Sequence, residues 1–135
     1  MAENVPFRRL LSVVNKKIMK EFLLLLRENL EAYGSMSPEE MQADIEKHVK
    51  WVEELSKNGH FKHGNPLSPA GGSLSGKSKL VTDGPYIESK EGVSGYYFLL
   101  ANSLEEAIDM AKNCPTLSLG GRVEVREVLN VSNNG

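Results

Sequence analysis

The stretch Gly71-Gly72-Ser73-Leu74-Ser75-Gly76-Lys77-Ser78 fits the phosphate-cradling pattern G-x-x-x-x-G-K-[ST] letter for letter. That pattern holds nucleotide phosphates only when a buried strand precedes it and a helix follows, because the amides that open the helix grip the phosphates. Here Pro66 and Pro69 precede it, and Leu80-Val81 and the Asp83-Gly84-Pro85 turn follow too soon for a helix. The sequence predicts a Gly/Ser hairpin tip, not a nucleotide site.

His48 is the residue best suited to acid–base work. Met41, Ile45, Val52 and Leu55 recur at helical spacing with His48 near the centre of their stripe, so it should face the core. Such a histidine either serves as a base or ligand contact, or is a core residue bonded to backbone or water. Asp83 has two readings as well: turn chemistry, its carboxylate accepting backbone amides, or a base at a pocket. Glu88 and Lys90 form either a solvated charged edge or part of a ligand site. Arg126, with Arg122 and Glu124, projects opposite Val123 and Val125, as interface ion pairs or as ligand contacts. Cys114 reads as a small buried hydrophobe, since a helix C-terminus disfavours a thiolate. His60 and His63 lack a third ligand nearby, so no metal is expected, and no other cofactor is implied.

The bulk properties bound the rest. With 135 residues, 40% hydrophobic and 25% charged, the chain fits one globular domain with a real core. A net charge of −2 argues against a nucleic-acid surface. No apolar run approaches the roughly 18 residues of a membrane span. One cysteine cannot form an internal disulfide, which fits the cytoplasm. Residues 1–18 resemble a signal peptide only superficially, because Asn15-Lys16-Lys17 interrupts a short apolar run; they read as a peripheral extension.

The elements that must position these residues come in a clear order. Phe22 to Leu26 is an apolar run short enough for a buried strand. Ser37-Pro38-Glu39-Glu40 is a capping box opening a helix that reaches about Lys57. Gly64 to Gly76 is a long loop between short strands near Phe61 and Leu80-Val81. Tyr96 to Ala101 is a second apolar strand, Ser103 caps a second helix that Pro115 stops, and Val123 and Val125 mark a last strand. The tail from Ser132 carries no pattern. This is an α+β chain with the ferredoxin-like order βαββαβ, two helices covering one face of its sheet. Phe22–Leu26 and Tyr96–Leu100 are apolar on both faces, so the uncovered face should meet a second copy in a homodimer.

The run from Val81 to Glu91 through Asp83-Gly84-Pro85, with Gly95-Tyr96-Tyr97, Ser103-Leu104-Glu105-Glu106-Ala107, Asn113-Cys114-Pro115 and Gly121-Arg122-Val123-Glu124 after it, resembles the YCII-related proteins, in the branch called the DGPF domain. The resemblance covers roughly Met19 to Val128, within a domain taken as residues 19–131, and implies a dimeric α+β barrel with a pocket between sheet and helix. It also implies an active-site histidine on the first long helix, which falls on His48, and places the Asp83 turn at the pocket mouth. The family's acidic partner of that histidine aligns with Cys114, a departure from the dyad.

Three function classes fit these residues. The first is a small-molecule-binding or accessory, regulatory protein. The second is a lyase-type acid–base enzyme acting on a small organic molecule, with His48 as base. The third is a structural interaction module without a ligand. The departure at Cys114 favours the first.

Overall fold

The computed structural model describes residues 19–83 and 91–131, without the side chains of 80–83. The N-terminal extension, the C-terminal tail, Glu88 and Lys90 lie outside the described residues.

Strand β1 (Lys20–Asn29) is longer than the apolar run, because the alternation continues through Arg27 and Glu28. Phe22, Leu24, Leu26 and Glu28 point to one face and are buried; Leu23, Leu25 and Arg27 point to the other and are half-buried. Helix α1 (Leu30–Gly34) begins at once, the Asn29 side chain accepting a hydrogen bond from the Ala32 amide at 3.0 Å. A five-residue helix carries no usable periodicity, and the sequence pattern gives no sign of it. Helix α2 (Pro38–Lys57) begins with the expected capping box: Ser37 Oγ accepts from the Glu40 amide, and Glu40 Oε1 from the Ser37 amide.

Strand β2 (Phe61–Pro66) extends into the expected loop. A separate two-stranded hairpin, β3 (Gly72–Ser75) and β4 (Leu80–Asp83), comes next. The phosphate-like motif is β3 and its turn, with a strand and not a helix after it. Strand β5 (Glu91–Ala101) is the longest, and α3 (Leu104–Ala111) is capped by Ser103, whose hydroxyl accepts from the Glu106 amide. A 3-10 turn (Pro115–Leu119) leads to β6 (Arg122–Glu127).

The chain is therefore α+β, with a four-stranded antiparallel sheet in the order β2-β5-β1-β6. Leu24 and Tyr97 are Cα partners across β1 and β5, so both side chains emerge on the same face. On that face Leu24, Leu26, Tyr97 and Leu99 pack against Trp51 and Leu55 of α2, while Phe22 and Ala101 pack against Ala107 of α3. Each fully buried leucine or phenylalanine here contributes about 1.5–3 kcal/mol. Among the described residues no helix is long and apolar enough to cross a membrane.

The α2 stripe differs from the wheel in one respect. Ile45 is 46% exposed, and the inner face runs through Asp44, His48, Trp51 and Leu55. The spacing of four, three and four residues is the better helical seam, and it puts a carboxylate on the inner face beside the histidine.

Candidate functional site

Tyr97 occupies the middle of β5, its ring against Trp51 edge-on (centroids 5.1 Å, planes at 82°) and Phe61 (6.3 Å, 69°). Its neighbour on β2 is Gly64, and a Cβ at that position would overlap the Tyr97 ring. Glycine there lets the ring lie flat along the strand. The Tyr97 hydroxyl meets His48 Nδ1 at 2.7 Å, and the two rings stack with centroids 6.0 Å apart.

His48 Nε2 faces Asp44 Oδ2 at 3.7 Å, one helical turn back on α2. A carboxylate only accepts, so the proton belongs on Nε2, and Nδ1 then accepts the Tyr97 hydroxyl. Burial pushes the His48 pKa below its ordinary value and the Asp44 carboxylate pulls it back part-way. The Tyr97 phenol is pushed far up, first by burial and then by Cys114 and Asp44, so it stays a donor across the whole range of interest. The result is a line from phenol to imidazole to carboxylate.

Asp44 is the end of that line, and hydropathy alone does not single it out. It is 5% exposed, and its Oδ1 has no hydrogen-bond partner. Among the described residues the other such oxygen, Thr116 Oγ1, is sealed in the core beside Cys114. Asp44, in contrast, lines a cleft of about 410 Å³ where the end of β1, α1, the start of α2 and the turn before β6 meet. Glu28, Tyr33, Met36, Lys47 and Gly120 line it as well. Gly120 closes the 3-10 turn in the left-handed region (φ 82°), which turns the chain back along the cleft wall.

Glu28 is buried on the helix-facing side of β1 and bonded to Ser94, whose hydroxyl also lies 3.4 Å from the Leu26 carbonyl. Burial pushes its pKa up, the Ser94 bond opposes this, and Asp44 adds to the rise. A hydroxyl has one proton to give. Here Ser94 gives it to Glu28 Oε2, with the Leu26 carbonyl as the longer alternative acceptor. The Tyr33 phenol is likewise raised, by burial and then by Glu28 and Asp44.

The chain matches the YCII-related domain over residues 20–132. It belongs to the YCII-related domain family. No curated protein matches it. In this YCII-related domain Cys114 is buried in the core with its thiol pushed up by burial, so it supplies no charge to His48. Asp44 does so from the same helix.

Of the other candidate residues, Arg126 is the one whose side chain is among the described residues. Asp83 ends β4 opposite Gly72, in the separate hairpin, and its side chain is outside the described residues, as are Glu88 and Lys90. Arg126 pairs with Leu23 on the sheet face turned away from His48. It is exposed there and ion-paired to Glu124 at 3.3 Å, which also takes the Arg27 guanidinium at 3.0 Å. Among the described residues no group of three side chains suits a metal, and His60 Nδ1 is held by the Leu100 carbonyl at 2.7 Å.

Two signals in the sequence point to the residues that hydropathy passes over. Asp44 precedes His48 by four positions, the spacing of a shared helix face. Tyr97 alternates with Leu99 and Ala101, so one strand register gathers all three on the inner face.

Proposed function

We propose that this YCII-related domain is a small-molecule-binding or accessory protein whose ligand sits in the cleft between α1 and α2, with Asp44 as the residue that meets it. One observation carries the reading: Asp44 lines a cleft of about 410 Å³ and has a buried carboxylate oxygen without a donor. Buried acceptors are almost always paired, and a ligand in the cleft would supply the missing donor. His48 and Tyr97 do not line the cleft; they act as positioning residues, Tyr97 orienting the imidazole and its Nε2 facing the second oxygen at 3.7 Å.

The test is a fragment screen by amide NMR on the full chain. Hits should perturb Ala32, Tyr33, Asp44 and Gly120, and Ala32→Trp, a substitution at an exposed position on the wall, should abolish them. Hits that persist in that variant, or none at all from a broad set, would overturn the reading.

The Asp44–His48 pair on one face of α2 favours a second reading, a lyase-type acid–base enzyme. There Asp44 Oδ1 takes the substrate proton while the His48 Nε2–H steadies the other oxygen. Asp44→Asn would then bind substrate and not turn it over.

The wider assembly belongs to the same proposal. We read the strand order β2-β5-β1-β6 as that of a ferredoxin-like sheet, with the β3–β4 hairpin as an insertion. Leu23, Leu25, Tyr96, Phe98 and Leu100 form a half-buried apolar face, flanked by Arg126 and Glu124, that suits a homodimer closed sheet to sheet in an α+β barrel. Asp83 is assigned to the mouth of the site, as the resemblance to the DGPF branch implies, and Glu88 and Lys90 to its lining. The single buried cysteine suits the cytoplasm.

A further inference from the structure

The cleft has a chemical preference that its shape alone does not give. Among its described lining residues are three carboxylates, Glu28, Glu40 and Asp44, against one basic group, Lys47. Asp44 Oδ1 stands without a donor, and an ionised carboxylate accepts and never donates. Glu28 already spends one oxygen on Ser94. The Tyr33 hydroxyl can accept as well as donate. Ala32, Met36 and Leu119 make part of the wall apolar, and Asn29 adds an amide whose oxygen is taken by the α1 cap.

An anion entering this cleft would meet carboxylates on two sides. A neutral alcohol would give Asp44 its single proton and leave the surrounding negative field unanswered. An ammonium group offers three N–H donors and the compensating charge, and charge-assisted hydrogen bonds are about twice as strong as neutral ones. The neighbouring groove, past Lys47, has the opposite character: Lys50 and Lys112 line it, so a cation is not drawn there.

We infer that the cleft takes a small organic cation, a primary ammonium carried on a compact apolar body, with its nitrogen at Asp44 Oδ1. The inference rests on the cleft being the ligand site. The ammonium sits against Asp44 and Glu28, Glu40 lends charge from the mouth, and the apolar body covers Met36 and Leu119. The His48 Nε2–H faces Asp44 Oδ2 at 3.7 Å, which leaves Oδ1 as the oxygen without a donor.

Three matched probes test this on the full chain by amide NMR titration near neutral pH: benzylamine, benzyl alcohol and benzoate. Benzylamine should perturb the amides of Tyr33, Asp44 and Gly120 and bind at least about tenfold tighter than benzyl alcohol, with benzoate weakest. Added salt should weaken the amine alone. Asp44→Asn should erase the advantage of the amine. Because a buried substitution can disturb the fold, Glu40→Gln serves as a second variant: it keeps the capping box, removes only charge, and should weaken benzylamine while leaving benzyl alcohol unchanged. Benzyl alcohol or benzoate binding in the cleft as tightly as benzylamine would overturn the inference and leave the cleft as the ligand site. No cleft response to any of the three would also overturn it; the fate of the wider reading then rests on the fragment screen.

Discussion

Tyr97 and His48 are joined by a 2.7 Å hydrogen bond across the boundary between sheet and helix, from the centre of β5 to the inner face of α2. The bond fixes the imidazole tautomer and turns the Nε2 proton toward Asp44 at 3.7 Å. A residue of the core thereby sets the orientation of a carboxylate on the wall of a cleft it does not itself touch.

Tyr97→Phe should raise the His48 pKa. The hydroxyl donates to Nδ1 of the neutral ring, so its loss destabilises the neutral form relative to the imidazolium. Stability should fall by about 1–2 kcal/mol, the range for losing a hydrogen bond and leaving Nδ1 unpaired. Imidazole NMR titration and urea unfolding read the two effects; a His48 pKa that falls in the variant would show that the bond runs the other way.

The pH dependence of stability separates Glu28 from His48. Glu28 has its pKa raised above the ordinary 4.5, so its stabilising contribution is full below that value and is lost as pH rises through the folded pKa. Glu28→Gln, a neutral isostere, should match the parent below about pH 4.5 and be the more stable near neutral pH. His48 has the opposite sign. Its pKa is lowered from 6.5, so its contribution is present above 6.5 and is lost as pH falls from there toward the folded value. Urea unfolding across a pH series checks both, and a Glu28→Gln variant less stable than the parent at neutral pH would show that Glu28 is stabilising as the anion.

The two faces of the sheet respond differently to charge. Leu24 is fully buried under the helices, so Leu24→Lys should abolish folding, a desolvated unpaired charge costing several kcal/mol. Phe98 lies on the open face, its ring edge-on to Tyr96 at 5.6 Å. Phe98→Lys should leave the fold intact and turn a dimer into a monomer near 14.9 kDa by light scattering. A parent chain already monomeric at micromolar concentration would remove the sheet-to-sheet assembly.

Much of the fold is legible in local chemistry. Ser37 and Glu40 announce α2, Ser103 and Glu106 announce α3, and both caps form as their types require. The phosphate-like motif at residues 71–78 is exposed as a decoy by Leu80 and Val81, which leave no room for a helix after Lys77. The short helix α1 is not legible, because its five residues are held by the Asn29 cap and by tertiary packing and not by a periodic apolar face. The site is half legible. His48 is placed inward by its helix, yet Asp44 reads as surface because hydropathy alone puts a carboxylate in water. Only the Tyr97–His48 contact and the α1 cleft explain its burial, and both depend on strand register and on segments distant in the chain.

Whether Asp44 Oδ1 is the ligand-facing atom of this domain is decided most directly by a crystal structure with the tightest fragment hit bound. Density is expected in the cleft, with a donor nitrogen or oxygen at hydrogen-bonding distance from Asp44 Oδ1, while Oδ2 keeps its place beside His48. Density in another groove, or Asp44 Oδ1 bonded to a group of the chain itself with the cleft filled by side chains, would contradict that role.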